Sequence, residues 1–152
     1  MTTLLDTGPL VAALDADDKS HHRCAEFLET ASGPLLVPAP VMVEVCWLLE
    51  KYRGARAEAA FIDSLVTEQM TLLDLADGDL ARVAHLVRTY ADLPLGVVDA
   101  SVITIAERLQ LREIATLDHR HFRVVRPVHV PAFRLLPWPP SRCRRPSAVA
   151  GG

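Results

Sequence analysis

The stretch TLLDTGPLVAAL (residues 3–14) carries a single charged side chain, that of Asp6. The apolar residues before Asp6 predict a short buried β-strand, and the Thr-Gly-Pro after it predicts a tight turn. A helix is expected to start near Pro9, because proline suits the first helical turn. Asp6 would then lie at the N-terminus of that helix, where a carboxylate is a favourable cap. On this stretch alone, capping is an adequate explanation for Asp6.

Strand and helix patterns alternate along the rest of the chain, which favours an α/β fold with a largely parallel sheet. A length of 152 residues fits one domain with a sizeable core. We place this domain at residues 1–136 and treat the Pro- and Arg-rich residues 137–152 as a flexible tail. Further strands are predicted at residues 35–37, 70–75, 112–116 and 132–137, and helices at residues 20–32, 40–53, 56–68, 78–91 and 97–110.

For three of the later segments, the sequence also predicts a cap, a buried face or a turn. Asp77 is expected to cap the helix at residues 78–91, whose apolar positions at helical spacing are Leu80, Val83, Ala84 and Val87. The helix at residues 97–110 is apolar on nearly all sides, so we expect it to be buried. The short stretch DHRHF, starting at Asp118, is predicted to form a turn.

Several classes of protein are disfavoured by the composition. The chain has no uninterrupted run of 18 apolar residues and no signal-peptide pattern at its start, so we expect a soluble cytoplasmic protein. Its cysteines, Cys24, Cys46 and Cys143, are odd in number and lack CxxC spacing. We therefore expect reduced thiols rather than a disulfide framework or a zinc site.

Charge is distributed unevenly along the chain, although the net charge is only -3. Residues 1–91 carry 7 basic and 14 acidic side chains, whereas residues 92–152 carry 9 basic and 5 acidic ones. A basic end beside an acidic body suits a protein that binds a polyanion. For the last arginines, Arg142, Arg144 and Arg145, a solvated tail is the alternative explanation.

Three further carboxylates resemble Asp6 in their surroundings. Glu44 is the only charged residue between Pro34 and Leu49, and Asp99 is the only one in the apolar segment that opens the helix at residues 97–110. Asp118 follows a predicted strand, at the edge where open α/β sheets bind ligands. A helix cap, an Asx-turn or a buried arginine partner would each explain one of these acids singly.

The four carboxylates together are harder to explain without a cation. Burying several of them unpaired costs several kcal/mol each, and two at about 5 Å repel by roughly 3 kcal/mol at an effective dielectric near 20. None of the three apolar segments contains an arginine, whereas a hard divalent cation suits clustered Asp and Glu. Mg²⁺ lowers the pKa of a water molecule and neutralises charge on a phosphoryl oxygen, so the pattern indicates phosphodiester hydrolysis.

Four collinear segments also resemble a known family. The similarity is to the PIN-domain nucleases, in particular the VapC toxins of type II (VapBC) toxin–antitoxin systems, and it spans residues 3 to about 136. The segments that carry it are LLDTGPLVAALDADDKSHH, VPAPVMVEVCWLL, YADLPLGVVDASVITIAERL and IATLDHRHF. The resemblance implies a three-layer α/β/α PIN fold with a four- to five-stranded parallel sheet flanked by helices.

By the same resemblance, the chain would be an endoribonuclease that depends on Mg²⁺ or Mn²⁺. Asp6 and Asp99 would be direct metal ligands, while Glu44 and Asp118 would complete the metal site and position the attacking water. The hydroxyls that follow from the family motifs are Thr7, next to Asp6, and Thr116, in T-x-D. The implied partners are an RNA substrate, a cognate VapB-type antitoxin and a second copy of the chain, with no membrane association.

Other functions fit the sequence less well. A phosphoacceptor receiver domain needs a lysine late in the chain, but the only lysines are Lys19 and Lys51. No GxGxxG, GxxxxGK[ST] or GxSxG motif occurs. His119 and His121 are expected to be surface or hydrogen-bonded residues, because the site already has oxygen ligands. The remaining alternatives are an RNA-processing PIN nuclease and a non-catalytic domain that binds RNA or a protein partner.

Overall fold

A computed structural model of the protein describes residues 1–137, and the remainder of the predicted tail, residues 138–152, lies outside the described part. The described chain forms five short strands and seven helices. In order they are β1 (Thr3–Leu5), α1 (Thr7–Leu14), α2 (His21–Thr30), β2 (Leu35–Pro38), α3 (Ala39–Arg53), α4 (Ala55–Val66), β3 (Thr71–Leu73), α5 (Asp79–Thr89), α6 (Val97–Arg108), β4 (Glu113–Ala115), α7 (His119–Val124) and β5 (Arg134–Leu136).

The five strands form one sheet in the order β3-β2-β1-β4-β5, and every neighbouring pair is parallel. In the register, Leu4 of β1 lies between Leu36 of β2 and Ile114 of β4. The chain moves outward from β1 through β2 to β3 and then crosses to β4 on the other side of β1. The direction of winding therefore switches between β1 and β4, which confirms the predicted α/β fold with a parallel sheet.

The core surrounds the central strands β1 and β4, whose leucine and isoleucine side chains are buried. Leu4 and Leu5 of β1 and Ile114 of β4 have no exposed surface. Helix α6 is buried from Ala100 to Glu107, as its apolar sequence predicted. No helix in the part of the chain that the structure describes is long and apolar enough to cross a membrane.

Helix α5 differs from its prediction in both its start and its buried face. It begins at Asp79 after Gly78, whose backbone is left-handed (φ 88°), so Asp77 does not cap it. Leu80 is 66% exposed, whereas Val83 and Asp79 are buried. The carboxylate of Asp79 accepts hydrogen bonds from the Ala76 backbone and from the Arg108 side chain of α6, and these bonds fix the face that α5 turns inward.

The stretch after β4 also differs from its prediction. The predicted turn DHRHF is the start of the short helix α7, with Asp118 as its N-cap. The Asp118 carboxylate accepts a hydrogen bond from the backbone N–H of His121, and Phe122 is buried in the core. One capping bond and one apolar anchor therefore stabilise a helix too short to be recognised by periodicity.

Candidate active site

The predicted site residues come together at the carboxyl ends of β1 and β4, where the winding of the sheet switches. Asp6 directly follows β1 and is 5% exposed. It occupies the N-cap position of α1, but its side chain makes no capping hydrogen bond. Instead its Oδ2 accepts a hydrogen bond from Thr116 Oγ1 at 2.7 Å. Helix capping is therefore the wrong explanation for this carboxylate.

Thr116 connects the two acids that follow these strands. It is fully buried just after β4, and its hydroxyl oxygen accepts a hydrogen bond from the backbone N–H of Asp118 at 3.0 Å while donating to Asp6. The same hydroxyl thus orients the Asp6 carboxylate and holds the backbone at Asp118. In the T-x-D motif, the hydroxyl of Thr116 thus accepts from the backbone N–H two residues later, at Asp118.

Glu44 reaches the site from the middle of α3. It is half-buried, and its Oε2 accepts a hydrogen bond from Thr7 Oγ1, at the start of α1, at 2.8 Å. Within residues 1–137, no Lys or Arg lies at ion-pair distance from Glu44. The two threonines singled out in the sequence therefore each hold one of the buried acids.

Asp99 lies in the first turn of α6 and contacts a residue to which the sequence assigned no role in the site. Its Oδ2 is 2.7 Å from Nδ1 of His121, and the same nitrogen is 2.9 Å from Oδ2 of Asp118. The expectation that His121 is hydrogen-bonded is met, but both partners are site acids. The missed signal was its spacing, since the third residue after an N-cap turns back toward the cap on a helix.

The electrostatics of Asp6 reflect its burial among other acids. Removal from water raises its pKa from 3.8 to about 7. The hydrogen bond from Thr116 opposes this rise, whereas the charges of Asp99 and Glu44 add to it. Asp6, Asp99 and Glu44 are therefore close enough in space to repel one another, although they lie far apart along the chain.

Asp99 has the same character. Burial raises its pKa, the hydrogen bond and charge of His121 oppose the rise, and the charges of Asp118 and Glu44 add to it. Within the described chain, every ion pair made by an arginine uses an acid outside the site. These pairs are Arg53 with Asp15 and Asp17, Arg82 with Glu107, Arg108 with Asp79 and Arg134 with Glu113.

The donor set fits a divalent cation. Asp99, Asp118 and His121 each offer one ligand atom, and these three atoms lie within 4.8 Å of one another. Asp6 and Glu44 contribute further carboxylate oxygens nearby, and oxygen is the donor that Mg²⁺ and Mn²⁺ prefer. The side chain of Asp118 is 44% exposed, so the group opens to solvent on the side of α7.

The comparison with known proteins agrees with this geometry. A sequence profile described as the PIN domain matches residues 3–127. The chain belongs to the PIN-domain family. Within it, this PIN domain is 30% identical over 134 residues to Ribonuclease VapC26 of Mycobacterium tuberculosis (strain ATCC 25618 / H37Rv), a match that covers 88% of this chain and 99% of that protein. The predicted membership of the VapC group is therefore confirmed.

Solved structures share the fold of this PIN domain. The sarcin-ricin loop cleaving toxin VapC20 of Mycobacterium tuberculosis superposes with a TM-score of 0.73 at 15% identity, over 78% of this chain and 92% of that one. VapBC2 from Rickettsia felis, bound to a DNA fragment from its promoter, gives a TM-score of 0.64 at 15% identity, over 91% of this chain and 100% of that one. At these identities the likeness confirms the fold alone.

Proposed function

We propose that this VapC-type ribonuclease toxin is a Mg²⁺-dependent endoribonuclease, with Mn²⁺ as an alternative ion. The observation that carries the proposal is the convergence of four carboxylates, those of Asp6, Glu44, Asp99 and Asp118, at the switch point of the sheet. Within the described chain, no Lys or Arg offsets their charge. A divalent cation would offset it.

We assign different tasks to the four acids. Asp6 and Asp99 hold the ion, because burial and the neighbouring acids raise the pKa of each carboxyl group, and a nearby cation would offset the cost of its negative charge. Glu44 and Asp118 lie beside them, complete the metal site and orient the attacking water. When bound, Mg²⁺ supplies charge neutralisation on the phosphoryl oxygens and a water of lowered pKa.

Positive side chains beside the acids would hold the RNA backbone. Arg120 and Arg123 are exposed on α7, the helix that also carries His121, and Arg126 is exposed just beyond it. Arginine binds phosphate oxygens with several donors at once. We expect these residues to position the strand by its phosphates rather than to read bases.

The direct test compares the wild-type protein with Asp99→Asn on total RNA, in Mg²⁺ and in EDTA. We expect wild-type cleavage only with Mg²⁺, and cleavage by the variant to be slower by about 100-fold or more because one anionic metal ligand is lost. Asp92→Asn is the matched control, since Asp92 is exposed in the loop before α6. Equal cleavage by wild type and Asp99→Asn would refute the site assignment.

The cellular role is a separate proposal. Membership of the VapC group supports a toxin restrained by a cognate VapB-type antitoxin and acting as a homodimer, and solved relatives include a toxin–antitoxin complex from Klebsiella pneumoniae with a TM-score of 0.62 at 19% identity, over 87% of this chain and 99% of that one. The rival role is RNA processing without an antitoxin. Expression of the chain alone and with the product of an adjacent small gene distinguishes the two, because only a toxin is rescued by that product.

A further inference from the structure

One nitrogen of His121 faces two carboxylates at once. Its Nδ1 is 2.7 Å from Asp99 Oδ2 and 2.9 Å from Asp118 Oδ2. When both carboxylates are ionised they only accept hydrogen bonds, so in that state the hydrogen between them is carried by Nδ1. The two carboxylate oxygens therefore share one hydrogen-bond donor at the point where the three atoms meet.

A metal ion fits the same point. With the hydrogen on Nε2 instead, Nδ1 turns its lone pair toward the space that it shares with the two oxygens, and the three atoms lie within 4.8 Å of one another. We propose that His121 Nδ1 joins Asp99 and Asp118 as a metal ligand and thereby raises the affinity of the site for Mn²⁺ relative to Mg²⁺. This inference rests on the proposed metal-dependent function and adds a determinant of which ion is used.

The preference follows from the chemistry of the two ions. Mg²⁺ takes oxygen ligands and gives up its waters reluctantly, so an imidazole nitrogen adds little to its binding. Mn²⁺ also favours oxygen ligands, but as a transition metal ion it accepts an imidazole nitrogen more readily than Mg²⁺ does. The other site acids, Asp6 and Glu44, offer only oxygen, so His121 is the ligand that distinguishes the ions.

The backbone that carries the His121 ring is fixed in position. The His121 backbone N–H donates to Asp118 Oδ1 at 3.3 Å, and the next residue, Phe122, is buried in the core. The His121 side chain is 18% exposed, which leaves it little freedom to move away from the acids. The competing explanation is a clamp that only orients the carboxylates by hydrogen bonding and has no effect on ion choice.

The test measures Mn²⁺ and Mg²⁺ binding by calorimetry to the full chain without RNA, for wild type and His121→Asn. The asparagine amide places an N–H donor near the former Nδ1, so it preserves a clamp but removes the nitrogen ligand. We expect Mn²⁺ affinity to fall about tenfold or more and Mg²⁺ affinity to change less than about twofold. His119→Asn, on the same helix but outside the cluster, is the matched control.

Electron spin-echo spectroscopy of the Mn²⁺-loaded proteins gives a second measurement. We expect a ¹⁴N coupling in wild type and in His119→Asn that is absent in His121→Asn. An equal loss of affinity for both ions, or a wild-type spectrum without nitrogen coupling, would overturn the inference and leave the nuclease proposal standing. A wild-type protein that binds neither ion and does not cleave RNA would overturn both.

Discussion

Thr116 uses one hydroxyl to hold two parts of the site, so its removal should affect both. In Thr116→Val, Asp6 loses its hydrogen-bond donor and the Asp118 N–H loses its acceptor. We expect the free energy of unfolding to fall by about 2 kcal/mol and Mg²⁺ affinity to fall about tenfold, measured by urea denaturation and calorimetry. Thr104→Val is the control, because Thr104 Oγ1 on α6 is buried with no hydrogen-bond partner among the described residues. A loss of equal size in both variants would contradict this role for Thr116.

The raised pKa of Asp6 makes the stability of the metal-free protein depend on pH. Between about pH 4 and pH 7 the folded protein keeps a proton that the unfolded chain has released, so the free energy of unfolding decreases as pH rises through this window and levels off above it. The charges that face Asp6 are those of Asp99 and Glu44. Urea denaturation in EDTA should show a decrease on the order of 4 kcal/mol, as the difference between wild type and Asp6→Asn. A difference that is constant across this range would contradict the shift.

At the scale of elements, the sequence predicted those strands and helices that apolar periodicity and the positions of Gly and Pro specify. The central strands and α6 were predicted correctly because their continuous apolar runs are buried in the core. The predicted buried face of α5 was wrong in part: Val83 is buried as predicted, but Leu80 is exposed and Asp79 is buried instead. Asp79 is stabilised there by Arg108, a partner 29 residues away that the local pattern does not reveal. Helix α7 was missed because six residues are too few for a helical period.

The buried ion pair between α5 and α6 offers a test of the scaffold that leaves the site untouched. Arg82 donates to both oxygens of Glu107 at 2.8 Å, and Glu107 is 7% exposed. In Arg82→Met we expect a loss of about 3 kcal/mol in unfolding free energy, because an uncompensated carboxylate stays buried. Urea denaturation measures it, with the exposed Arg88→Met on the same helix as control. Below the unfolding transition, cleavage by Arg82→Met should equal that of wild type, and reduced cleavage by the folded variant would contradict a purely structural role.

At the scale of the whole molecule, the site depends on topology rather than on spacing. Asp6 and Thr116 are 110 residues apart in the chain, yet they are hydrogen-bonded because β1 and β4 are parallel neighbours. The sequence identified the isolated acids, since lone charges in apolar segments are visible without a structure. It did not identify His121, because polar residues surround that histidine and only the packing of α7 against α6 turns it toward Asp99.

The last prediction concerns residues 138–152, which carry three of the arginines of the chain. All four site acids lie within residues 1–137, and we propose that this part folds and acts alone. A chain ending at Pro137 should therefore keep its unfolding free energy to within about 0.5 kcal/mol. We also expect truncation to leave the salt dependence of single-stranded RNA binding unchanged, given as the slope of the logarithm of the binding constant against the logarithm of the salt concentration. Both chains carry Asp99→Asn in this measurement to prevent cleavage.

The matched variant removes positive charge beside the site instead of in the tail. Replacing Arg120 and Arg123 together by Gln should reduce the magnitude of the salt slope by about 1.4, because each phosphate contact to a single strand contributes about 0.7. Truncation removes three arginines, one more than this double variant, and leaves the acidic body intact. If truncation flattens the slope and the double variant does not, RNA is held by the tail, and α7 contributes its acids and His121 but no phosphate contacts.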